Sequence, residues 1–214
     1  MWALRDFLRD SSPARASGTA RLKALRLPAG TDWRWRPDVM MLPLASASGI
    51  AAPGSGTMLT DEIKLWHDCP DRALVLRQFP TPPGDPTLAP FTLRLEGFGF
   101  GGSYLSLSID LPEAGRTGLG RDHIVRLDAA LTSERAASIH LRLNLSAGPN
   151  TEQLQAQLMP GATSGRAMAE FDLGRLGFAA APDKLWLDLI VEAPVMNRID
   201  IQDLMLSRRP RAHV

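Results

Sequence analysis

The sequence predicts an all-β protein: an antiparallel β-sandwich of jelly-roll type carried behind a short helical N-terminal arm. Three observations predict it. From residue 58 onward apolar and polar residues alternate with a period of two, which puts one side of each run in a core and the other in water. About ten such runs are separated by turns drawn from the 18 Gly and 17 Pro of the 214 residues. No long amphipathic helix lies between them, which argues against βαβ units. A set of strands this short and numerous suits the two packed sheets of a jelly roll.

Residues 1–57 read differently, as a helical and irregular arm ahead of a sandwich domain at 58–214. Trp2, Leu4, Phe7 and Leu8 have helical spacing over 1–10. Pro13 stops that segment, because proline disfavours helix in the residue before it. A second helical stretch, 14–27, places Leu22, Leu25 and Leu27 near one face before Pro28 and Gly30. Helices this short are marginal alone and must dock on something. Trp33 and Trp35 follow in a loop-rich region, and the Gly/Ala/Ser/Pro stretch 45–56 reads as a flexible connection.

The strands expected in the sandwich are 63–66, 73–79, 91–96, 104–111, 124–131, 139–145, 153–158, 168–173, 184–191 and 199–206. Alternation assigns Leu107, Ile109, Leu141, Leu143, Leu187 and Leu189 to the core. The glycine-rich run 97–102 joins two β-patterned segments and is read as a tight hairpin connection.

Composition sets bounds on function. Hydrophobic residues are 44% and charged residues 22% of the chain, ordinary for a globular protein. No apolar run approaches the ~20 residues of a membrane helix. The N-terminus carries Arg5, Asp6 and Arg9 where a signal peptide needs an apolar stretch, and the single Cys69 excludes an intrachain disulfide, so a cytoplasmic address is expected. The net charge of +1 hides basic ends, residues 1–38 and the tail SRRPRAHV, around a mildly acidic body. Such a layout can steer the termini toward an anionic partner. It lacks the basic stripe of a dedicated nucleic-acid binder.

The most reactive-looking cluster is Trp66-His67-Asp68-Cys69. Consecutive strand residues point to opposite faces, so His67, Asp68 and Cys69 do not converge on one metal ion. Cys69 reads as a small buried hydrophobe at a strand end. No phosphate loop, dinucleotide fingerprint, zinc spacing or nucleophile motif is present, and no catalytic role or cofactor is expected. Asp188 with Glu192, or Asp200 with Asp203, would suit a structural Ca²⁺; pairing with arginines such as Arg198, or solvation, is the reading taken.

The remaining candidate is a surface. With Leu185, Leu187 and Leu189 in the core, Trp186 and Asp188 stand on the other face of their strand, and His140, Arg142 and Asn144 stand outward on 139–145. If these strands are neighbours, Trp186, His140, Arg142, Asn144 and Asp188 form a platform of the kind that holds sugars by ring stacking and guanidinium hydrogen bonds. The competing reading, and the preferred one, packs Trp186 beneath the arm's Trp2, Leu4 and Phe7.

Several strings recur together: 30–37 (GTDWRWRP), 67–69 (HDC), 102–107 (GSYLSL), 109–112 (IDLP), 148–153 (GPNTEQ), 186–189 (WLDL) and 207–212 (SRRPRA). In order and spacing the chain resembles, over roughly residues 30 to 212, a domain-of-unknown-function family of alphaproteobacteria. The resemblance implies no activity and no functional residues. Residues 199–206 are also similar to the closing strand of carbohydrate-binding jelly rolls. The function expected is therefore a non-catalytic interaction or structural protein docking on a macromolecular partner, with a jelly-roll carbohydrate-binding module as the alternative.

Overall fold

The structure, a computed structural model, describes residues 27–45, 49–158, 165–178 and 181–212. The helical stretches expected at 1–10 and 14–27 lie outside the described residues, save Leu27. The strands are β1 (Trp33–Trp35), β2 (Ile50–Ala51), β3 (Thr57–Met58), β4 (Ile63–His67), β5 (Leu74–Pro80), β6 (Phe91–Gly97), β7 (Tyr104–Asp110), β8 (His123–Ser133), β9 (Ile139–Ala147), β10 (Asn150–Leu158), β11 (Arg166–Asp172), β12 (Lys184–Glu192) and β13 (Asn197–Pro210). Two single-turn helices, α1 (Asp38–Met41) and α2 (Glu113–Arg116), lie in connections. Each run expected as a strand is one. No helix among the described residues is long and apolar enough to cross a membrane.

All pairings are antiparallel. One sheet has the order β11-β8-β13-β6-β5-β2, with β1 also on β13; the other has the order β10-β9-β12-β7-β4-β3. From β6 to β13 the chain changes sheet at every connection except the β9–β10 hairpin. The result, β6-β13-β8-β11 against β7-β12-β9-β10, is the strand order of a jelly roll. The glycine-rich run 97–102 is accordingly not a hairpin: it carries the chain from β6 in one sheet to β7 in the other. Periodicity identified both strands but contains no term for which sheet each joins.

The core lies between the sheets. Leu107, Ile109, Leu141, Leu143, Leu187 and Leu189 are each at most 1% exposed, and Leu93, Leu127, Ile201, Leu204 and Leu206 of the opposite sheet are equally buried. At roughly 1.5–3 kcal/mol for burying each such side chain, this alternation is the main source of stability.

Residues 33–51 complete the seven-stranded sheet and cover its outer face over β6 and β13. β1 pairs with the far half of β13, Trp33 opposite Arg208 and Trp35 opposite Leu206. The chain then turns into α1, which packs on β6 and β13 with Val39, Met40 and Met41 all buried. Gln78 of β5 pins this cover, donating to the carbonyls of Val39 (2.7 Å) and Leu42 (2.8 Å) and accepting from the Leu44 N–H (2.7 Å). Beneath it Arg36 Nη2 donates to Asp203 Oδ2 (2.8 Å) and to the Thr87 carbonyl (2.5 Å).

Candidate functional site

The outer face of the six-stranded sheet has no such cover among the described residues. The cross-strand register fixes what it displays. One row runs Trp66, Ser106, Ile190, His140, Gln157 across β4, β7, β12, β9 and β10. The next runs Lys64, Ser108, Asp188, Arg142, Gln155. A third sets Asp110, Trp186, Asn144 and Gln153 side by side. The five residues expected to form a platform therefore do share one face: Trp186 is opposite Asn144, Asp188 opposite Arg142, and His140 two positions along β9.

Sequence reasoning missed the other half of this surface. Trp66, 43% exposed, and Tyr104, 36% exposed, stand on β4 and β7, and the small Ser106 and Ser108 between them leave a trough. Two hollows, of about 690 and 860 Å³, share Tyr104, Arg142 and Ile190 and so form one depression. The first is flanked by Trp66 and Trp186; the second runs over His140 to Gln155 and Gln157. Trp66 and Tyr104 carried a signal of their own. Each follows or precedes an inward leucine, so period two already turns it outward; what was missing was the adjacency of β4 to β7.

The centre of the face is held by a polar network. Asp188 Oδ2 accepts from Arg142 Nε (3.0 Å), Arg142 Nη2 (2.9 Å) and Asn144 Nδ2 (2.9 Å). Asn144 Nδ2 also donates to the Arg142 carbonyl (3.0 Å). Asn144 and Asp188 are buried, whereas the Arg142 side chain remains 40% exposed. Asn144 Oδ1 is buried without a hydrogen-bond partner among the described residues. At the periphery His140 Nε2 lies 2.8 Å from Glu192 Oε1, and Lys184 Nζ lies 3.1 Å from Asp110 Oδ1 and 5.1 Å above the Trp186 ring. Trp186 is half-buried among these neighbours. The arm expected to pack on it lies outside the described residues.

The cluster at 66–69 supports this face. Trp66 points outward onto it, and its ring lies 3.4 Å from where a Cβ on Gly56 would stand. His67 points inward, its Nδ1 accepting from the Cys69 N–H (3.2 Å) and its Nε2 donating to the Pro53 carbonyl (3.0 Å). Asp68 fastens the start of β7, accepting from the Ser103 N–H (2.8 Å), the Ser103 hydroxyl (2.6 Å) and the Tyr104 N–H (3.1 Å). Those bonds, led by the Ser103 hydroxyl, hold its carboxyl down at about 2. A Cβ on Gly102 would meet Asp68 Oδ1 at 2.3 Å, so glycine is what lets the two chains approach there. Cys69 is buried in the core.

Each carboxylate pair weighed for calcium is divided among basic side chains. Asp188 holds Arg142 and Glu192 holds His140, while Asp200 is bidentate to Arg94 (2.7 and 2.8 Å) and Asp203 holds Arg36. The arginines of the tail are engaged too. Arg208 holds both oxygens of Asp32 (3.0 and 3.1 Å) and the Thr117 carbonyl (2.7 Å); Arg209 reaches Glu170 and Arg211 reaches Asp172.

Fold and face together define a jelly-roll β-sandwich with one partly covered sheet and one whose outer face is aromatic and polar and uncovered among the described residues. The chain belongs to the family of unknown function DUF6478, whose match spans residues 3–214. No curated protein matches it. Solved structures resemble it at the level of the fold. The enzymatically active domain of tailspike protein 4 of bacteriophage CBA120 is 9% identical with a TM-score of 0.45, covering 71% of this chain and 20% of the tailspike. This chain thus spans about a fifth of that protein. The family 11 carbohydrate-binding module of a cellulosomal cellulase of Clostridium thermocellum is 12% identical with a TM-score of 0.43, covering 74% of this chain and 94% of the module. A putative sugar binding protein from Bacteroides thetaiotaomicron is 11% identical with a TM-score of 0.44, covering 73% and 91%.

Proposed function

We propose that the outer face of the six-stranded sheet binds carbohydrate and that the protein acts as a non-catalytic binding module. The carrying observation is the register that stands Trp66, Tyr104 and Trp186 around the Ser106 and Ser108 floor, beside the fixed Arg142–Asp188–Asn144 network. A sugar ring presents a face of C–H groups and a rim of hydroxyls. Flat indole rings take the first, and guanidinium and carboxamide groups take the second in defined geometry. The Gln155 and Gln157 amides add donors and acceptors of both kinds at the far end of the trough.

The alternative, docking on an anionic macromolecule through basic termini, has less support. Arg208, Arg209 and Arg211 already face Asp32, Glu170 and Asp172, so each of these tail arginines has a carboxylate beside it.

A glycan-array screen of the full chain, followed by Trp186→Ala with a thermal melt, tests the proposal. Binding lost with a nearly unchanged melting temperature is the expected result. No glycan signal for the parent chain, with a loss of roughly 3–5 kcal/mol in the variant, would make Trp186 a packing residue and overturn it.

A further inference from the structure

Resting on the reading of this face as a glycan surface, we infer that its ligand is uncharged: a neutral polysaccharide bound along its chain rather than a uronic-acid or sulfated polymer. The inference comes from charge bookkeeping on the face, which the choice of stacking residues does not determine.

The outward positions of β4, β7, β9 and β12 carry three permanent cations, Lys64, Arg142 and Lys184, and three anions, Asp110, Asp188 and Glu192. They are interleaved rather than segregated. Arg142 spends Nε and Nη2 on Asp188, Lys184 sits 3.1 Å from Asp110, and His140 sits 2.8 Å from Glu192. Lys64 stands in the row of Asp188, across Ser108. β10 contributes Thr151, Gln153, Gln155 and Gln157 to this side, none of them charged. A carboxylate arriving over Arg142 would meet a guanidinium already committed to a buried acid, with Asp110 and Glu192 on either flank. It would be desolvated without gaining an unshared counter-charge. A hydroxyl has no such cost, and every charged pair here retains acceptor or donor capacity toward it.

The trough also has the proportions of a chain-binding cleft. It runs from Trp66 on β4 to Gln157 on β10, across four strand spacings, or about 19 Å. Among the described residues β10 is the edge of its sheet, and no further strand pairs with it there.

Affinity electrophoresis of the full chain decides the matter, in gels carrying mixed-linkage β-glucan, xylan or galactomannan on one side and polygalacturonate or alginate on the other. The expected result is retardation by at least one neutral polymer, unchanged when salt is raised to roughly 0.5 M, and none by the acidic ones. Retardation by polygalacturonate or alginate that salt abolishes would overturn the inference while leaving the glycan reading intact. Free migration in every gel would remove both. Two variants sharpen it by removing an acid. Asp188→Asn unmasks Arg142, and the more exposed Asp110→Asn unmasks Lys184. Each should acquire salt-sensitive retardation by polygalacturonate that the parent lacks, and variants that migrate like the parent there would count against the balance described.

Discussion

The two sheets of the sandwich are built alike on the inside and differ on the outside. Both bury an alternating set of leucines, isoleucines and valines. On the seven-stranded sheet the outward positions where α1 packs on β6 and β13 are roofed, while Met168 of β11 stays exposed: Thr92 and Met205 are 1% and 3% exposed, and Arg36 and Asp203 are sealed together. On the six-stranded sheet the outward positions are mostly polar or aromatic, Ile190 excepted, and nothing among the described residues roofs them. The lesson is that amphipathic strands leave the fate of the second face undecided. A roof of three apolar residues, Val39, Met40 and Met41, covers part of one face, and no such roof lies on the other among the described residues.

That contrast can be broken most forcefully at Arg36. Its side chain is fully buried, and its Nε and Nη1, like Asp203 Oδ1, find no hydrogen-bond partner among the described residues. Arg36→Met leaves a buried carboxylate without a cation and should cost about 3–5 kcal/mol near pH 7, measured by urea denaturation. A loss below about 1 kcal/mol would show that the roof is not a stability element.

The same pair predicts a pH effect. Burial pushes the Asp203 carboxyl up from 3.8 to about 6, outweighing the attraction of an Arg36 that reaches it through one nitrogen. The fold therefore retains a proton there that the unfolded chain has already released above 3.8. Stability from this group is full below the unfolded value and is lost as pH rises through about 6. Asp203→Asn should remove that decline between about pH 4 and 6, and the Arg36→Met penalty should shrink over the same interval as Asp203 takes a proton. Parallel stability profiles for parent and Asp203→Asn would refute the assignment.

On the open face the expected stability effects are smaller. Gly56 has φ +85°, a left-handed backbone, and a Cβ there would touch the Trp66 ring at no less than 3.4 Å. Gly56→Ala should cost about 1–2 kcal/mol through left-handed backbone strain while leaving the indole in place. Trp66→Ala should cost less than about 1 kcal/mol while abolishing glycan retardation, since a largely exposed ring contributes more to a ligand than to the core. A melting temperature that falls as far as in Arg36→Met would erase the distinction between the faces.

Much of this was legible in the sequence. Period-two alternation located every long strand and the inward leucines, because burial of one face is a local, repeating demand on residue type. The same period turned Trp186, Asp188, His140, Arg142 and Asn144 outward. Trp66 and Tyr104 escaped notice because they lie 120 and 82 residues before Trp186 on strands whose neighbours only the sheet order supplies.

By itself, then, the sequence determined what each strand buries and what it shows. Tertiary structure decided which strands meet. It sent the glycine-rich run 97–102 across the sandwich instead of round a hairpin, set β4 beside β7 so that Trp66 joins the trough, and laid α1 over one sheet only. Pairing depends on contacts between residues far apart in the chain, whose closure entropy is repaid only when both sheets form together, and no local pattern records which partner wins.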